Sequence, residues 1–489
     1  MIKILIGNTR KVALIFMLSL CAVMTGFSIG ASGELFTAFA AIIVLSVCGI
    51  AFLLCRNPDQ TLWIFLLAWL PLFIEPFLFR LTGVALFPIW QSVMTLVTAL
   101  GLTFFLKELR HNLWLKCWVC FSFLFLFYGC LSSVLGRTNG FAGAYQLISN
   151  IKPMLLVLTG FALRKDIHIE KVIWFTVSWL WLPMVIFIAW EWLSPGSYFS
   201  LLPGGPKGSD LSPISFVPTR AFGFFDHPAM MATYAVYMAF LAAGACIRRT
   251  DTIKNAFLVI VYTVVVICTT QRQELSALLI SLCLLYVVLA RNDVLIRRTV
   301  KSGVLCLVFL MGFVVMNFDS ISQEMLMWGV EGNSAESPRS QLFSGAVYIA
   351  DSFFPLGSGL GTYGGAGAFK FDWSLYDYLG FGKYWWYGKK NYLMDTYWPN
   401  SIAETGYVGA LFLLCSYFFL FMVSFSATRE NLKKYLSTSY FPETCVMLIY
   451  MVQLSISSPA FQDPRLFMIP ALFFGYSFVR LYNGVSNDR

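Results

Sequence analysis

The chain has 489 residues, of which 58% are hydrophobic and 12% are charged, and its mean hydropathy is +0.73. Soluble domains carry about 25% charged residues, so this composition excludes a water-soluble protein and predicts one that lies in a lipid bilayer. The net charge of +9 does not indicate nucleic-acid binding, because the positive charges stand in short turns between apolar runs.

Long apolar runs predict an all-α, polytopic integral membrane protein with about 12–14 transmembrane helices, since one span needs about 20 apolar residues. A β-barrel would instead show short alternating segments. The two weakest runs are 145–163, which contains Lys152 and Pro153, and 440–457, which Pro442 interrupts. In chain order, the apolar runs lie at 12–29, 35–54, 61–79, 84–106, 113–135, 145–163, 171–192, 229–247, 255–271, 274–290, 301–317, 402–425, 440–457 and 463–482.

The distribution of positive charge predicts the orientation of these spans. If the N-terminus is cytoplasmic, the short segments on the same side hold most of the 34 lysines and arginines, as the positive-inside rule requires. Both termini are then cytoplasmic, and two long segments face the other side. The predicted divisions are the N-terminal helices 1–192, an outer loop 193–228, central helices 229–317, a large outer loop 318–401 and C-terminal helices 402–489.

Arginines on the predicted outer side run contrary to the topological bias, and four of them are candidate site residues: Arg220, Arg272, Arg339 and Arg465. A guanidinium at the membrane surface can bind phosphate or pyrophosphate through its planar fork. A single arginine could equally snorkel to lipid headgroups or pair with an acid. Several on one face, close to loop glycines, favour an anion site.

Other charged residues near the spans are also candidates. Asp395 and Glu404 flank the start of the run at 402, and Pro399 predicts a break between them. Asp395 could then be a general base, whereas Glu404 could also be a helix N-terminal acid stabilised by the helix dipole. Lys152 lies within a span, where an ionisable residue is a functional candidate, unless it pairs with an acid such as Glu75.

The large outer loop combines aromatic residues with a glycine run at 357–367. Its tryptophans and tyrosines, Tyr363 and Trp398 among them, could stack on sugar rings or form an interfacial aromatic belt. His227 is the only histidine predicted outside. One histidine cannot form a typical metal cluster, so neither a metal nor another cofactor is expected. The cysteines lie mostly in apolar runs and are interpreted as packing residues.

Four short segments follow one another between about residues 215 and 425. The first two are Arg220-Ala-Phe-Gly-Phe-Phe-Asp-His227-Pro228 and Thr270-Gln-Arg272-Gln-Glu-Leu-Ser. The third joins Arg339 to Pro355-Leu-Gly357-Ser-Gly359-Leu-Gly-Thr-Tyr363, and the fourth runs from Asp395 to Gly406 and Gly409. Taken in this order, they resemble the O-antigen ligase and polymerase family of bacterial inner membranes.

Two departures from the family pattern bear on the reaction. Ligases of the family carry histidine where this sequence has Asp395, which favours the polymerase branch. Around Arg272, the family pattern has a serine before the arginine and a glycine after it, where this sequence has Gln271 and Gln273. The match of the second segment therefore depends mainly on the arginine.

The resemblance implies a GT-C-like inner-membrane glycosyltransferase. It would polymerise repeat units of O-antigen, capsule or exopolysaccharide, moving glycan from undecaprenyl pyrophosphate to an acceptor hydroxyl on the periplasmic face. The implied partners are the lipid-linked glycan, membrane lipid, a chain-length-regulating membrane protein and a flippase. We expect Asp395, Arg272 and Arg220 to be catalytic. The expected substrate-binding residues are Arg339, Arg465, His227, Glu404, Trp398 and Tyr363.

Three alternatives remain open at this point. A ligase would perform the same chemistry with lipid A core as the acceptor. A flippase or transporter of lipid-linked sugars would place charges along a central cavity, for which Lys152 and Glu75 are candidates, although no internal repeat is evident. A scaffold without catalysis would leave the outer arginines unexplained.

Overall fold

A computed structural model describes the chain over residues 61–83, 85–163, 166–203, 217–248, 250–289, 338–384, 386–387, 392–431 and 440–486. The predicted spans at 12–29, 35–54 and 301–317 lie outside these residues. Throughout the described ranges the regular structure is helical, which confirms the all-α prediction.

Seventeen described α-helices are numbered here in chain order, and short 3₁₀ turns follow α5 and α14. The helices are α1 (Thr61–Trp69), α2 (Pro71–Thr82), α3 (Phe87–His111), α4 (Leu113–Leu135), α5 (Gly140–Thr159), α6 (Ile167–Trp179), α7 (Trp181–Leu193), α8 (Pro195–Leu201), α9 (Pro228–Ile247), α10 (Thr252–Cys268), α11 (Arg272–Leu289), α12 (Pro338–Ser352), α13 (Ala366–Phe371), α14 (Ser374–Tyr378), α15 (Trp398–Asn431), α16 (Phe441–Leu454) and α17 (Pro464–Ser486).

Five described segments are long and apolar enough to cross a membrane, and the pair α1–α2, bent by 41°, could form a sixth span. The weak run at 145–163 is one of the five despite Lys152 and Pro153, whereas the run at 440–457 forms only the shorter apolar helix α16. Helices also occupy the predicted spans at 84–106, 255–271, 274–290 and 463–482. The chain is therefore a multi-pass membrane protein. The five segments are Leu113–Leu135, Gly140–Ala162, Ile167–Leu193, Pro228–Ile247 and Trp398–Arg429.

Helix α9 is buried on nearly every side and packs against α10, α11 and α16. Its N-terminus is defined locally: Pro228 occupies the first turn, and His227 Nδ1 accepts a hydrogen bond from the Ala229 N–H at 3.2 Å. Proline suits this position because its missing N–H would have no helical partner. This cap fixes the point at which the preceding segment, 220–226, enters helix α9.

A break in α15 joins this helix to the glycine run. Gly406 has φ +63° inside the helix, a conformation that favours glycine. On the N-terminal side of the break, the carbonyl of Ala403 accepts the Ser358 N–H at 2.9 Å, and the carbonyl of Glu404 accepts the Gly359 N–H at 3.0 Å. We call this pairing of residues 357–363 with residues 403–406 the glycine clasp.

The described part of the large outer loop, from residue 338 onwards, is a folded unit with its own hydrophobic core rather than an open aromatic surface. Helix α12 packs on α15, and α13 packs on α5. Tyr363 and Trp386 are fully buried in this core. The aromatic residues of the loop therefore mainly hold the unit together, although Tyr348 and Tyr378 remain exposed.

Candidate functional site

The segment 220–226, which carries Arg220, is held by two buried charges on neighbouring helices. Arg80 in α2 is fully buried and donates to the carbonyls of Gly223 at 2.9 Å and Leu202 at 3.0 Å. Glu191 in α7 accepts the backbone N–H groups of Phe222 at 2.9 Å and Gly223 at 3.1 Å. Hydrogen bonds of this kind to charged groups are among the strongest in proteins, so the backbone of the segment is fixed from both sides.

Arg220 and Arg272 are neighbours, although they are far apart in the sequence. The N–H of Ala221 donates to the Cys268 carbonyl at 3.2 Å, which ties the Arg220 segment to the end of α10. Arg272 follows a tight turn in which Thr270 has φ +54°. Burial lowers the pKa of Arg272, and the positive charge of Arg220 lowers it further. The two positive charges repel each other, so an anion bound near both would be favoured.

Arg339 brings a third guanidinium and a carboxylate to the same region. Its Nη2 lies 3.8 Å from Asp395 Oδ2, and its charge also acts on Glu274, in the first turn of α11. Burial raises the pKa of Asp395 to about 6, while the charge of Arg339 opposes that rise. Asp395 is therefore mostly ionised at neutral pH yet basic enough to accept a proton.

The charge of Arg220 thus acts on Arg272, while Arg339 pairs with Asp395 and acts on Glu274, two residues after Arg272. We call Arg220, Arg272, Arg339 and Asp395 the arginine site. The chemistry that such a group can perform is to neutralise an anion with its guanidinium forks and to take a proton from a nearby hydroxyl. Sequence reasoning missed Glu274, which is buried and on which the charge of Arg339 acts, although it stands only two residues after Arg272.

Arg465 lies in a different environment. Its Nη1 pairs with Asp226 Oδ2 at 2.9 Å, and its Nη2 pairs with Asp463 Oδ2 at 2.7 Å. Two carboxylates therefore offset its positive charge, which is the ion-paired alternative given above for a single outer arginine. The pair with Asp226 also ties the N-terminus of α17 to the segment that carries Arg220.

A cavity of about 440 Å³ opens beside this ion pair. Lys152 reaches it and donates to Gln91 Oε1 at 3.2 Å, and the acid whose charge acts on Lys152 is Asp463. Glu75, the predicted partner of Lys152, lines the same cavity but accepts backbone N–H groups instead. The lining residues are Glu75, Phe79, Ala85, Phe87, Gln91, Tyr145, Ser149, Lys152, Asp226, Ala366, Met394, Pro459, Gln462, Asp463, Pro464 and Arg465.

Glu404 is fully buried in the glycine clasp. Its Oε1 accepts the N–H of Gly361 at 2.8 Å and that of Tyr363 at 3.2 Å. The glycines permit this close approach, because a Cβ at Gly361 would lie 2.3 Å from the carbonyl oxygen of Ala142. This position supports a role in holding the folded unit that begins at residue 338, rather than contact with a substrate.

Three other predicted substrate-binding residues also make structural contacts. The Tyr363 hydroxyl donates to the Leu342 carbonyl at 3.0 Å, and its ring stacks on Tyr376. Trp398 Nε1 donates to Ser455 Oγ at 2.9 Å. His227 is exposed and caps α9. None of these contacts points to a ligand.

Sequence reasoning did not identify Arg80 or Glu191. A signal for Arg80 was present, because it is an arginine at the predicted outer end of the run 61–79. Within the described ranges, no group of three or more His, Cys, Asp or Glu side chains is arranged to hold a metal ion.

Comparison with known proteins adds no identity. The chain matches no model of a protein family, and no curated protein matches it significantly.

Proposed function

We propose that this protein polymerises lipid-linked oligosaccharide repeats, transferring glycan from undecaprenyl pyrophosphate to an acceptor sugar hydroxyl. The observation that carries the proposal is the arginine site. Its three guanidinium groups come from distant parts of the chain: the charge of Arg220 acts on Arg272, and Arg339 lies 3.8 Å from Asp395, whose pKa of about 6 suits a general base. The resemblance of four sequence segments to the O-antigen ligase and polymerase family, with its GT-C-like fold, leads to the same reaction.

The residues suit the chemical step as follows. The acceptor hydroxyl attacks the anomeric carbon of the donor, the bond from that carbon to the pyrophosphate oxygen breaks, and the hydroxyl proton passes to Asp395. The departing undecaprenyl pyrophosphate gains negative charge, which Arg220, Arg272 and Arg339 would stabilise. Donors placed in advance around developing charge are an efficient source of rate acceleration.

The proposed setting is a bacterial inner membrane, with both termini in the cytoplasm and the arginine site facing the periplasm. A flippase would supply the lipid-linked repeats there, and a chain-length-regulating membrane protein would act on the growing polymer. Arg220, Arg272 and Arg339 all stand in segments that the charge distribution places outside. This orientation supports a site at the outer headgroup plane, where a lipid diphosphate would lie.

Two alternatives retain support. A ligase would use the same site and differ only in its acceptor, lipid A core. A flippase is favoured by one observation, the cavity lined by Glu75 and Lys152, because charges that line a cavity within a membrane protein mark transport pathways.

Deleting the gene in its host and separating the surface glycan on a gel distinguishes these functions. Loss of a polymerase leaves single repeats on the acceptor, whereas loss of a ligase leaves the acceptor bare. Loss of a flippase traps lipid-linked repeats on the inner face. Only the first pattern is consistent with the proposal.

Complementation with variants then tests the arginine site. Arg272→Ala and Asp395→Asn are expected to abolish long chains while the protein still inserts at wild-type levels. Arg110→Ala is the matched control, because Arg110 is exposed near the end of α3 and outside the site. Wild-type chain lengths in both site variants would remove these residues from the reaction.

A further inference from the structure

The cavity beside Arg465 differs in charge from the arginine site. Its lining carries three carboxylates, Glu75, Asp226 and Asp463, against two cations, Lys152 and Arg465. An anionic phosphate group would meet a formal excess of negative charge there, which disfavours it. The pyrophosphate and the ligand of this cavity therefore have different chemistry.

Polar groups in the cavity remain available for a ligand. Both hydrogen bonds that Glu75 accepts go to Oε1, from Leu86 at 3.1 Å and Phe87 at 3.3 Å, which leaves Oε2 for a ligand. Asp226 pairs with Arg465 through Oδ2, while its buried Oδ1 has no hydrogen-bond partner. Because Oδ1 is buried, the carboxylate oxygen left open to a ligand is Oε2 of Glu75.

Hydrogen-bond donors and aromatic side chains complete the lining of the cavity. Lys152 uses one N–H for Gln91 and an ammonium group has three, so two can reach a ligand. Phe79, Phe87 and Tyr145 provide aromatic rings. A volume of about 440 Å³ is within the range of small-molecule sites. Acceptors, donors and rings together suit a hydroxyl-rich, uncharged ring.

We propose that this cavity binds a neutral saccharide, namely the acceptor end of the glycan. That the ligand is a neutral saccharide follows from the cavity alone, whereas the role of this saccharide as acceptor rests on the proposed function. Met394 lines the cavity, and the next residue is Asp395, the proposed base. Asp395 is not among the lining residues, but its place next to Met394 in the chain sets the proposed base close to the cavity, so that a sugar bound there would lie near it while the arginines bind the donor pyrophosphate.

Calorimetric titration of the purified full-length chain in lipid nanodiscs tests this assignment. One probe is the repeat oligosaccharide released from the host surface polysaccharide, with any uronic acid reduced to the neutral sugar. The other is inorganic pyrophosphate. Glu75→Gln replaces an acceptor oxygen with a donor, and Ala366→Leu fills the cavity without altering its charge. We expect each to weaken saccharide binding about tenfold or more, the scale of one hydrogen bond to a charged group.

Pyrophosphate binding should be unchanged in both cavity variants, which also shows that they are folded. Arg272→Ala should give the reverse pattern, weak pyrophosphate binding with saccharide binding retained. The assignment is overturned if the wild type does not bind the saccharide, if neither cavity variant weakens its binding, or if Arg272→Ala alone abolishes it. Because the gene deletion reports on polymer formation, saccharide binding without a polymerase phenotype would refute the proposed function but leave this site intact.

Discussion

Replacing Glu404 separates a structural role from a chemical one. Its side chain is fully buried, and a single oxygen accepts two backbone N–H groups of the glycine clasp. Glu404→Gln keeps a carbonyl oxygen at this point, whereas Glu404→Leu keeps the approximate size of the side chain and removes the accepting oxygen. The two variants therefore differ mainly in whether the clasp remains hydrogen-bonded.

The expected magnitudes follow from the number of N–H groups left without a partner. Each buried donor without an acceptor costs about 1–3 kcal/mol, so two donors in Glu404→Leu cost about 2–6 kcal/mol in the free energy of unfolding. In Glu404→Gln a carbonyl oxygen remains to accept both N–H groups, so the loss is at most about 1 kcal/mol, the net worth of one ordinary hydrogen bond.

Thermal unfolding in detergent, followed by fluorescence and by the monodisperse fraction after heating, measures this difference. We expect Glu404→Leu to unfold at a clearly lower temperature than Glu404→Gln, and Glu404→Gln to support long glycan chains in cells. Equal stability of the two variants would refute the structural role. A Glu404→Gln protein that folds normally but makes no polymer would instead assign Glu404 to the reaction.

Three further predictions concern the arginine site and its supports. Because Asp395 must be deprotonated to act as a base, polymerisation should decline as the pH falls through about 6. Arg339→Ala removes the positive charge that lowers the pKa of Asp395, so this acid limb of the pH–rate profile should move to higher pH. Arg80→Lys cannot reproduce the forked donation to several carbonyls, so it should lower the melting temperature and reduce activity without affecting membrane insertion on immunoblots. Gly361→Ala should destabilise the protein by about 1–3 kcal/mol through its positive φ and a close backbone contact, whereas Gly382→Ala, which meets nothing within 4 Å, should unfold like the wild type.

Hydropathy predicted the helical segments well, whereas the sidedness drawn from the charge bias stays a prediction. Apolar runs correspond to described helices even where Lys152 and Pro153 interrupt one of them, because a membrane helix can tolerate such residues when neighbouring helices satisfy them. The outer arginines were also informative. Positive charge on the outer side is disfavoured, and two of the four selected on that ground, Arg220 and Arg272, prove to be neighbours.

The sequence could not distinguish the residues of the arginine site from the residues that hold the surrounding structure in place. Glu404 and Tyr363 belong to the same motifs as Asp395 and Arg339, yet the first two are buried in packing contacts, whereas the last two form a pair in which Arg339 is exposed and Asp395 is half-buried. The burial of these side chains depends on how the folded unit that begins at residue 338 packs onto α5 and α15, and these contacts join residues far apart in the chain. Local pattern therefore identified the segments but not the direction in which each side chain points.

Under the proposed function, the opposite charge of the arginine site and the cavity would let the protein distinguish the lipid diphosphate from the acceptor sugar. The arginine site carries an excess of positive charge and suits a diphosphate, whereas the cavity carries an excess of carboxylates and suits a neutral ring. Arg465, paired to Asp226 and Asp463, lies on the cavity side, where its neutralised charge would not attract the lipid diphosphate. If the two regions were uniformly basic, the diphosphate of a second donor could occupy the acceptor position and block transfer. The carboxylates beside Arg465 would therefore favour productive binding by excluding the wrong group.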